Sequence, residues 1–517
     1  MAYSAEVASA TKAGLYGDSF FSMSFPFFSP KDLQGAVVTV MGLGRHKKGS
    51  GVGAVKWLMR HGAQVVITDL KSEDELKESV AEVMLWYDEY RRAYPDREIS
   101  KPIFTLGEHK EDDFQNAQLV VQNPGVPRES KFVQLARRQG ITVESDVSLF
   151  LRFCPFPVYA ITGTRGKSTT TAWLGEMLKT LHPKTVIAGN ILHSPLEDLD
   201  WLLEESAPVP IVLELSSWLL ESLENVEKPA EIAILTNVYK DHLDRYESFT
   251  HYKQAKELIF HHQTKKQVAI LNADQEITKE IATRLSARTL WFSLSHLQGK
   301  EGAWVEEEKI VCELQGERKE ICAVSELLLL GEHNVANALA AILGAMVAGV
   351  SLESIRQTLK TFTGLPGRQQ KVFEKDGVVY VNDTSATSPE GVIAALKRFD
   401  DHPIILLAGG NTKGFTYEEM GEWIQKTCKQ VILFDGTGTQ MIEDAMKGVV
   451  PVKRVSSMKE AVMFASESAQ SGDIVLLSPG GSSFALFKNE FDRGDQFNIA
   501  VAGLSFLSTS KKTAVIQ

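Results

Sequence analysis

No uncharged apolar run in this chain approaches the ~18 residues that a bilayer span requires, and the longest aliphatic clusters are strand-sized. A membrane-spanning role is therefore not expected. Cysteine is scarce, with only Cys154, Cys312, Cys322 and Cys428. Neither CxxC spacing nor the density of a disulfide scaffold is present, so buried free thiols are expected. Excess basic charge is missing too: 55 Lys and Arg against 66 Asp and Glu leave a formal net charge of -11. That argues against nucleic acid as a partner, because phosphate backbones need an electropositive face, while a local basic site for a small anion stays open. The segment up to Phe28 has one lysine and no continuous apolar core before a small-residue cleavage site, so a cytoplasmic location is expected. Short-period repeats and low-complexity stretches are absent.

What is present fits a multidomain globular protein. Length alone, 517 residues at about 150 per domain, suggests roughly three domains. After a phenylalanine-rich lead, GAVVTVMGLG reads as a buried strand breaking into glycines, GVGAVKWLMRHG as a helix and AQVVITD as a second strand, a βαβ unit. A polar helix follows at SEDELKESVAEVMLWYDEYRRAY, then strands at PIFTL and AQLVVQ and the turn Asn123-Pro124-Gly125. The pattern restarts with PVYAITG, KTVIAGN, PIVLELSS, EIAILTNV and QVAILNAD, then a β-rich insertion over 290–326 and a long helix at LLLLGEHNVANALAAILGAMVAG. A third alternation carries VVYVND, PIILLAGG, QVILFDG and DIVLLSPGG. The expected architecture is α/β with mostly parallel sheets. Its domains are 1–153 (Rossmann-like), 154–361 (central, with a phosphate loop) and 362–517 (Rossmann-like). Chemistry is expected in the loops at the carboxyl ends of the strands.

The sharpest signal is Gly163-Thr164-Arg165-Gly166-Lys167-Ser168-Thr169, between the strand PVYAIT and a helical TTAWLGEMLKTL. Glycines let backbone N–H groups face phosphate, a helix amino terminus adds positive potential, Lys167 offers a mobile cation and Ser168 an oxygen for Mg²⁺. ATP is the expected ligand. The loop is shorter than GxxxxGK[ST], with Ile161 in place of the first glycine. Glu214 ends PIVLE, where phosphate-bound Mg²⁺ needs an oxygen, a reading preferred over a capping or solvated glutamate at a strand end. His242, in Asp241-His242-Leu243-Asp244 after EIAILTNV, is a candidate for a second metal. In HYKQAKELIF, helical spacing puts Tyr252, Lys256 and Ile259 on one face. Burial would neutralise that amine and let it capture CO₂ as a carbamate, a metal ligand. On the residues alone, a snorkelling lysine is the commoner reading.

Taken together, GTRGKSTT, LELSSWLLE, NVYKDHLDRY with YKQAK, LNAD, GEHNVANALAA, GLPGR, VNDTSAT and LLSPGGSSFALFKNEFDRG resemble the ordered motifs of the Mur ligase family, from about residue 35 to the end. The resemblance implies an ATP-dependent amide ligase of peptidoglycan precursor synthesis. Its likeness is greatest to the branch that adds D-glutamate to UDP-N-acetylmuramoyl-L-alanine, and it implies a carboxyl-terminal domain that closes over the site. A monomer is expected, and because ligands on different domains must meet, so is closure of the third domain on ATP binding. The resemblance implies Lys167 on the β- and γ-phosphates, Glu214 and Ser168 on one Mg²⁺, and His242 with carbamylated Lys256 on another. Asn272, Arg368 and Asp383 match positions near the nucleotide. Thr387, Lys413, Ser483 and Phe491 match those that hold glutamate, with Phe491 shifted by one place, and Asn190 matches one facing the muropeptide. Gly42, Gly44, Asp69, Asn123 and Gly125 fall where such ligases take the uridine diphosphate, with Arg45, His46, Lys47 and Lys48 as further charge.

Three residues depart from the family pattern: Arg165 for asparagine, Gly367 for the histidine before Arg368, and Ser385 for the lysine of NDSKAT. The last bears on the choice of amino acid, including D against L configuration. Rival readings are another Mur-type ligase with a different amino acid such as L-glutamate, a ligase acting on a folate acceptor, and a nucleotide-binding regulatory homologue without turnover. A nicotinamide enzyme is the weakest, because Lys47 occupies the third glycine position of GxGxxG.

Overall fold

The structure is a computed structural model that describes residues 25–44, 49–190, 193–241, 245–329, 331–412, 414–483 and 486–513. By contact, the chain falls into two compact units, one made of the residues up to Lys167 with Leu178–Trp291, the other of Ser168–Met177 with the residues from Phe292 onward.

The first unit holds two parallel sheets. One is built from β1 (Val37–Met41), β2 (Gln64–Asp69), β3 (Ile103–Leu106), β4 (Leu119–Gln122) and β5 (Thr142–Glu144), in the order β3-β2-β1-β4-β5. All neighbours are parallel. The other has β6 (Val158–Thr162), β7 (Val186–Gly189), β8 (Ile211–Glu214), β9 (Ile232–Leu235) and β10 (Val268–Asn272), in the order β10-β9-β6-β8-β7. These too are parallel. β6 is buried throughout and β8 likewise, the near-continuous apolar run that a sheet covered on both faces demands. One core cluster runs from Val38 through Phe150 to Leu271. Polar contacts join the two sheets' helices: Trp57 Nε1 donates to Asp200 Oδ1 at 2.9 Å, Arg60 lies 3.0 Å from the same carboxylate, and Ser194 Oγ donates to Asp146 Oδ2 at 2.8 Å.

β11 (Arg288–Ser293) leads into the second unit, where β12 (Gly302–Glu306), β13 (Lys309–Leu314) and β14 (Glu317–Ala323) form an antiparallel meander. The long helix Glu332–Val347 follows, with eleven buried residues that include Asn334 and Asn337. The last sheet comprises β15 (Gln370–Lys375), β16 (Val378–Asn382), β17 (Ile404–Gly409), β18 (Cys428–Phe434), β19 (Val452–Val455) and β20 (Ile474–Gly480), in the order β15-β16-β20-β17-β18-β19. Only β15 is antiparallel to its neighbour. Separate apolar clusters cover its two faces, one around Leu406 and Met420, the other around Leu407 and Phe497. The chain is thus α/β with mostly parallel sheets, as expected. All four cysteines are buried free thiols. Among the described residues, no helix is long and apolar enough to cross a membrane.

Candidate functional site

In the first unit, the loop after β6 is held from below. Thr164 N donates to Asn237 O at 2.9 Å. Arg165 N donates to Asn237 Oδ1 at 2.8 Å, while its carbonyl accepts from Thr236 Oγ1 at 2.6 Å and Asn237 Nδ2 at 3.0 Å. These partners end β9, so the neighbouring strand fixes the apex of the phosphate loop and leaves the Arg165 side chain exposed. Gly163 is required by this clamp, because a Cβ there would lie 1.9 Å from Thr236 Oγ1. Gly166 takes φ +81°, and the helix Lys167–Lys179 starts at once.

Lys167 Nζ donates to the carbonyls of Gly163 at 2.9 Å and Thr164 at 3.1 Å. Lys256 Nζ reaches the same Gly163 oxygen at 2.9 Å. Lys256 is 1% exposed, beside Tyr252 at 1% and Ile259 at 4%, so the expected shared face is buried. Burial pushes its ammonium well below the usual lysine range, and the neighbouring Lys167 charge pushes the same way. Tyr252 completes this wall, its hydroxyl 3.1 Å from Thr164 Oγ1, and burial moves its pKa up to about 12.

Glu214 ends β8 at 1% exposure. Its Oε1 accepts from Asn190 Nδ2 at 3.2 Å, whereas the buried Oε2 has no hydrogen-bond partner among the described residues. A buried carboxylate oxygen without a donor suits a cation. Asn190 N also donates to Glu214 O at 2.9 Å. Gly189, at φ +100°, permits this approach, since a Cβ would sit 2.3 Å from that carbonyl. Asn272 ends β10, its Nδ2 on Thr236 O at 3.1 Å and its Oδ1 accepting from Asp274 N at 2.8 Å. Among the described residues, no three His, Cys, Asp or Glu side chains cluster as a ready-made metal cage. His242 lies outside the described residues, as do Lys413 and Arg45 through Lys48.

At the carboxyl ends of β1 and β2, Asp69 Oδ2 accepts from Leu43 N at 3.0 Å and Gly44 N at 3.3 Å, and Oδ1 from Lys71 N at 3.0 Å. Asp69 therefore shapes the glycine loop through its backbone. Asn123 packs under it, 2.9 Å from where a Cβ on Gly42 would stand, and its Oδ1 accepts from Gly125 N at 3.0 Å. The five first-domain residues singled out in the sequence thus come together.

In the second unit, Ser168 is buried and its Oγ accepts from Arg368 Nη2 at 3.0 Å. Thr169 follows it on the helix, half-buried. Asp383 lies under the Arg368 turn: Gln369 N donates to Oδ1 at 3.1 Å and Ser478 Oγ to Oδ2 at 2.8 Å. Burial raises its pKa to about 7, opposed by the hydroxyl and amide hydrogen bonds and by Arg368. Gly367 takes φ +71°, and a Cβ there would meet Thr384 Cγ2 at 2.8 Å, so Thr384 makes a side chain at 367 costly.

Around Thr387, the 384–387 loop is tied to the last strand by Gly480 N to Ala386 O at 2.8 Å. Arg493, 1% exposed, clasps it through Thr384 Oγ1 at 3.0 Å, Thr384 O at 2.8 Å and Gly481 O at 3.2 Å. Ser483, 2% exposed, has a buried hydroxyl without a partner among the described residues. Phe491 is 42% exposed. The sequence reading had not singled out Thr236, Asn237, Ser478 or Arg493. The first two stand at the carboxyl end of β9, where the strand-end rule points. The other two lie within LLSPGGSSFALFKNEFDRG, one of the stretches that carry the resemblance, but neither is given a role by it.

Comparison with known proteins identifies the family. Residues 36–145 match the Mur ligase MurD-like N-terminal domain, 161–345 the Mur ligase middle domain and 367–481 the Mur ligase glutamate ligase domain. A relative from Roseiflexus sp. (strain RS-1), called UDP-N-acetylmuramoylalanine--D-glutamate ligase, is 41% identical over 90% of this chain and 98% of its own. Another so named, from Koribacter versatilis (strain Ellin345), is 36% identical over 90% and 97%. Among solved structures, a UDP-N-acetylmuramate-alanine ligase from Thermotoga maritima aligns with a TM-score of 0.57 at 19% identity, covering 92% of this chain and all of the other. MurF from Acinetobacter baumannii aligns at 0.55 with 18% identity, covering 92% of each. These two show a shared fold.

Proposed function

Because the chain belongs to the Mur ligase family, we propose that it joins D-glutamate to UDP-N-acetylmuramoyl-L-alanine, with ATP converted to ADP and phosphate, in cytoplasmic peptidoglycan precursor synthesis. The alanyl carboxylate attacks the γ-phosphorus and ADP leaves. The amine of glutamate then attacks the carbonyl of the acyl phosphate, an amide forms and phosphate departs. The protein contributes position and charge rather than a covalent partner. Lys167, the loop amides and the amino terminus of the helix Lys167–Lys179 offset the negative charge on the transferring group.

Mg²⁺ fits the chemistry of Glu214, which has an unpartnered buried oxygen, since Mg²⁺ retains waters and substrate phosphates rather than demanding a protein cage; by the family resemblance the Ser168 hydroxyl would be a further ligand. Bound there, it would stabilise charge on the phosphoryl oxygens. Lys256, carbamylated, and His242 would hold a second ion. Arg368, Asn272 and Asp383 belong to the nucleotide end. The buried unpartnered Ser483 hydroxyl, with Thr387, Lys413 and Phe491, belongs to the glutamate end. Asn190 and the loop of Gly42, Gly44, Asp69, Asn123 and Gly125 serve the UDP-muropeptide. The domain limits 153/154 and 361/362 and a monomeric state are part of this reading.

The observation that carries it is a buried Lys256 on the carbonyl of the phosphate loop itself, where burial and the Lys167 charge disfavour its ammonium form. A plain phosphate-loop ATPase has no use for that amine. Ser385 motivates a second reading, with a different amino acid as acceptor, because a hydroxyl stands where the family pattern has a cation. Phosphate release with UDP-N-acetylmuramoyl-L-alanine and a panel of D- and L-amino acids separates the two. Release with D-glutamate alone is expected. Equal release without any amino acid overturns the ligase reading, and a preference for another amino acid establishes the second.

A further inference from the structure

The first sheet has a polar concavity at the end opposite the glycine loop. Gly35 precedes β1 and Gly62 precedes β2, whereas Gly42 and Asp69 stand at the far ends of those strands, about 20 Å away by strand rise. A groove of about 980 Å³ opens there, walled by the carboxyl-terminal half of the helix Glu73–Ala93 and the segment 95–100. That volume is in the range of small-molecule sites.

Three guanidinium groups line it: Arg91, Arg92 and Arg97. Each is steadied by a neutral neighbour. Arg97 Nη1 donates to the Tyr90 hydroxyl at 2.9 Å and its guanidinium lies 5.3 Å from the Tyr94 ring centre. Arg91 lies 5.6 Å from the ring of Tyr87, and Arg92 Nε donates to the Asp88 carbonyl at 3.2 Å. The tyrosines are themselves braced by a ladder along the helix, Trp86 on Tyr90 at 5.0 Å and Tyr90 on Tyr94 at 4.7 Å. All three side chains are exposed, and these contacts favour some of their conformers, which lowers the entropy lost when they grip an anion. Arginine forks match phosphate oxygens in pairs.

The lining also includes the acidic residues Asp88 and Glu98 and the amide residues Gln34 and Gln64. Carboxylates repel a bare anion but accept hydrogen bonds from hydroxyl groups. We propose that this groove is a second ligand site, separate from the ligase centre, for a phosphate ester of a sugar or other polyol: the arginines take the phosphate, the carboxylates and amides the hydroxyls.

Calorimetric titration of the full-length protein tests this with a hexose 6-phosphate, the unphosphorylated hexose and inorganic phosphate as separate probes. The ester is expected to bind more tightly than either fragment. The triple variant Arg91→Gln, Arg92→Gln, Arg97→Gln should weaken it about tenfold or more and leave ligase turnover unchanged. Asp88→Asn with Glu98→Gln should weaken the ester but not phosphate, and Lys167→Ala should leave ester binding intact. Circular dichroism checks that each variant is folded. The proposal is overturned by binding that survives the triple arginine change, by binding lost in Lys167→Ala, or by no binding up to about 10 mM. Phosphate bound as tightly as the ester would mark an adventitious ion only and overturn it as well.

Discussion

Lys167 and Lys256 place their side-chain nitrogens on one acceptor, the carbonyl oxygen of Gly163, each at 2.9 Å. Two ammonium groups on a single buried oxygen repel each other, and loss of a proton is favoured most at the more buried one. That is Lys256, in which burial and the Lys167 charge act together. A neutral amine attacks CO₂, forming a C–N bond and releasing one proton. Lys256→Ala is therefore expected to lower the ligation rate by about 10²-fold or more, as loss of a charge-stabilising group does. Millimolar formate or acetate should restore part of it. Activity that survives the change, with no response to a small carboxylate, would sink the carbamate.

Gly163 and Thr236 form the second testable pair. A methyl group on Gly163 would have to displace the Thr236 hydroxyl, which holds the Arg165 carbonyl at 2.6 Å. Gly163→Ala is expected to raise KM for ATP and to cost about 10²-fold in kcat/KM, because a small misplacement of the loop is amplified in the rate. Thr236→Ser keeps the hydroxyl and should be near wild type, while Thr236→Val should resemble Gly163→Ala. If Thr236→Val binds and turns over ATP normally, the clamp is decorative.

The sequence made the centre of each sheet readable and its rim less so. β6, β8, β10 and β17 are buried along their whole length, so their apolar runs announce them. The strands missed, β5, β15 and β19, are all at sheet edges. Residues such as Lys371 and Glu374 in β15, or Lys453 and Arg454 in β19, face water there and break the apolar pattern. The site divides the same way. Gly163 through Ser168 and Lys256 carry local signals of spacing and helical face. Arg493 lies in a quoted motif but carries no such local signal of role, because its partner Thr384 is 109 residues away and only the fold supplies it.

Asp383 leads to a prediction about pH. Its folded-state pKa is about 7 against an ordinary 3.8, with burial as the first cause. Between those values the folded protein holds a proton that the unfolded chain has released, so stability falls as pH rises through the window and levels off above it. The slope from this group is at most about 1.4 kcal/mol per pH unit. Asp383→Asn removes it, so denaturant titrations at pH 5 and pH 8 should differ less in the variant than in wild type. An unchanged difference would show that the carboxyl is ionised throughout. Because Gln369 N leans on the same carboxyl at 3.1 Å, the neighbouring Arg368 should be less well held, and KM for ATP should rise.

Arg493 tests the stability of the loop that carries Thr387, proposed above to serve glutamate. It is 1% exposed and makes three hydrogen bonds, two of them to Thr384. Burial lowers its pKa to about 10, so the guanidinium remains charged at neutral pH. Arg493→Ala strips three acceptors of a charged donor and empties a large buried volume. A loss of about 3 kcal/mol or more is expected, since hydrogen bonds to charged groups count for more than neutral ones and the orphaned carbonyls stay out of water. Arg493→Lys keeps the charge but has no fork to span Thr384 and Gly481, so it should recover only part of the stability. The loop carries Thr387, so at a temperature where both variants remain folded the defect should appear in KM for the amino acid and spare KM for ATP. Equal rises in the two constants would mean that Arg493 supports the domain as a whole and not the glutamate end in particular.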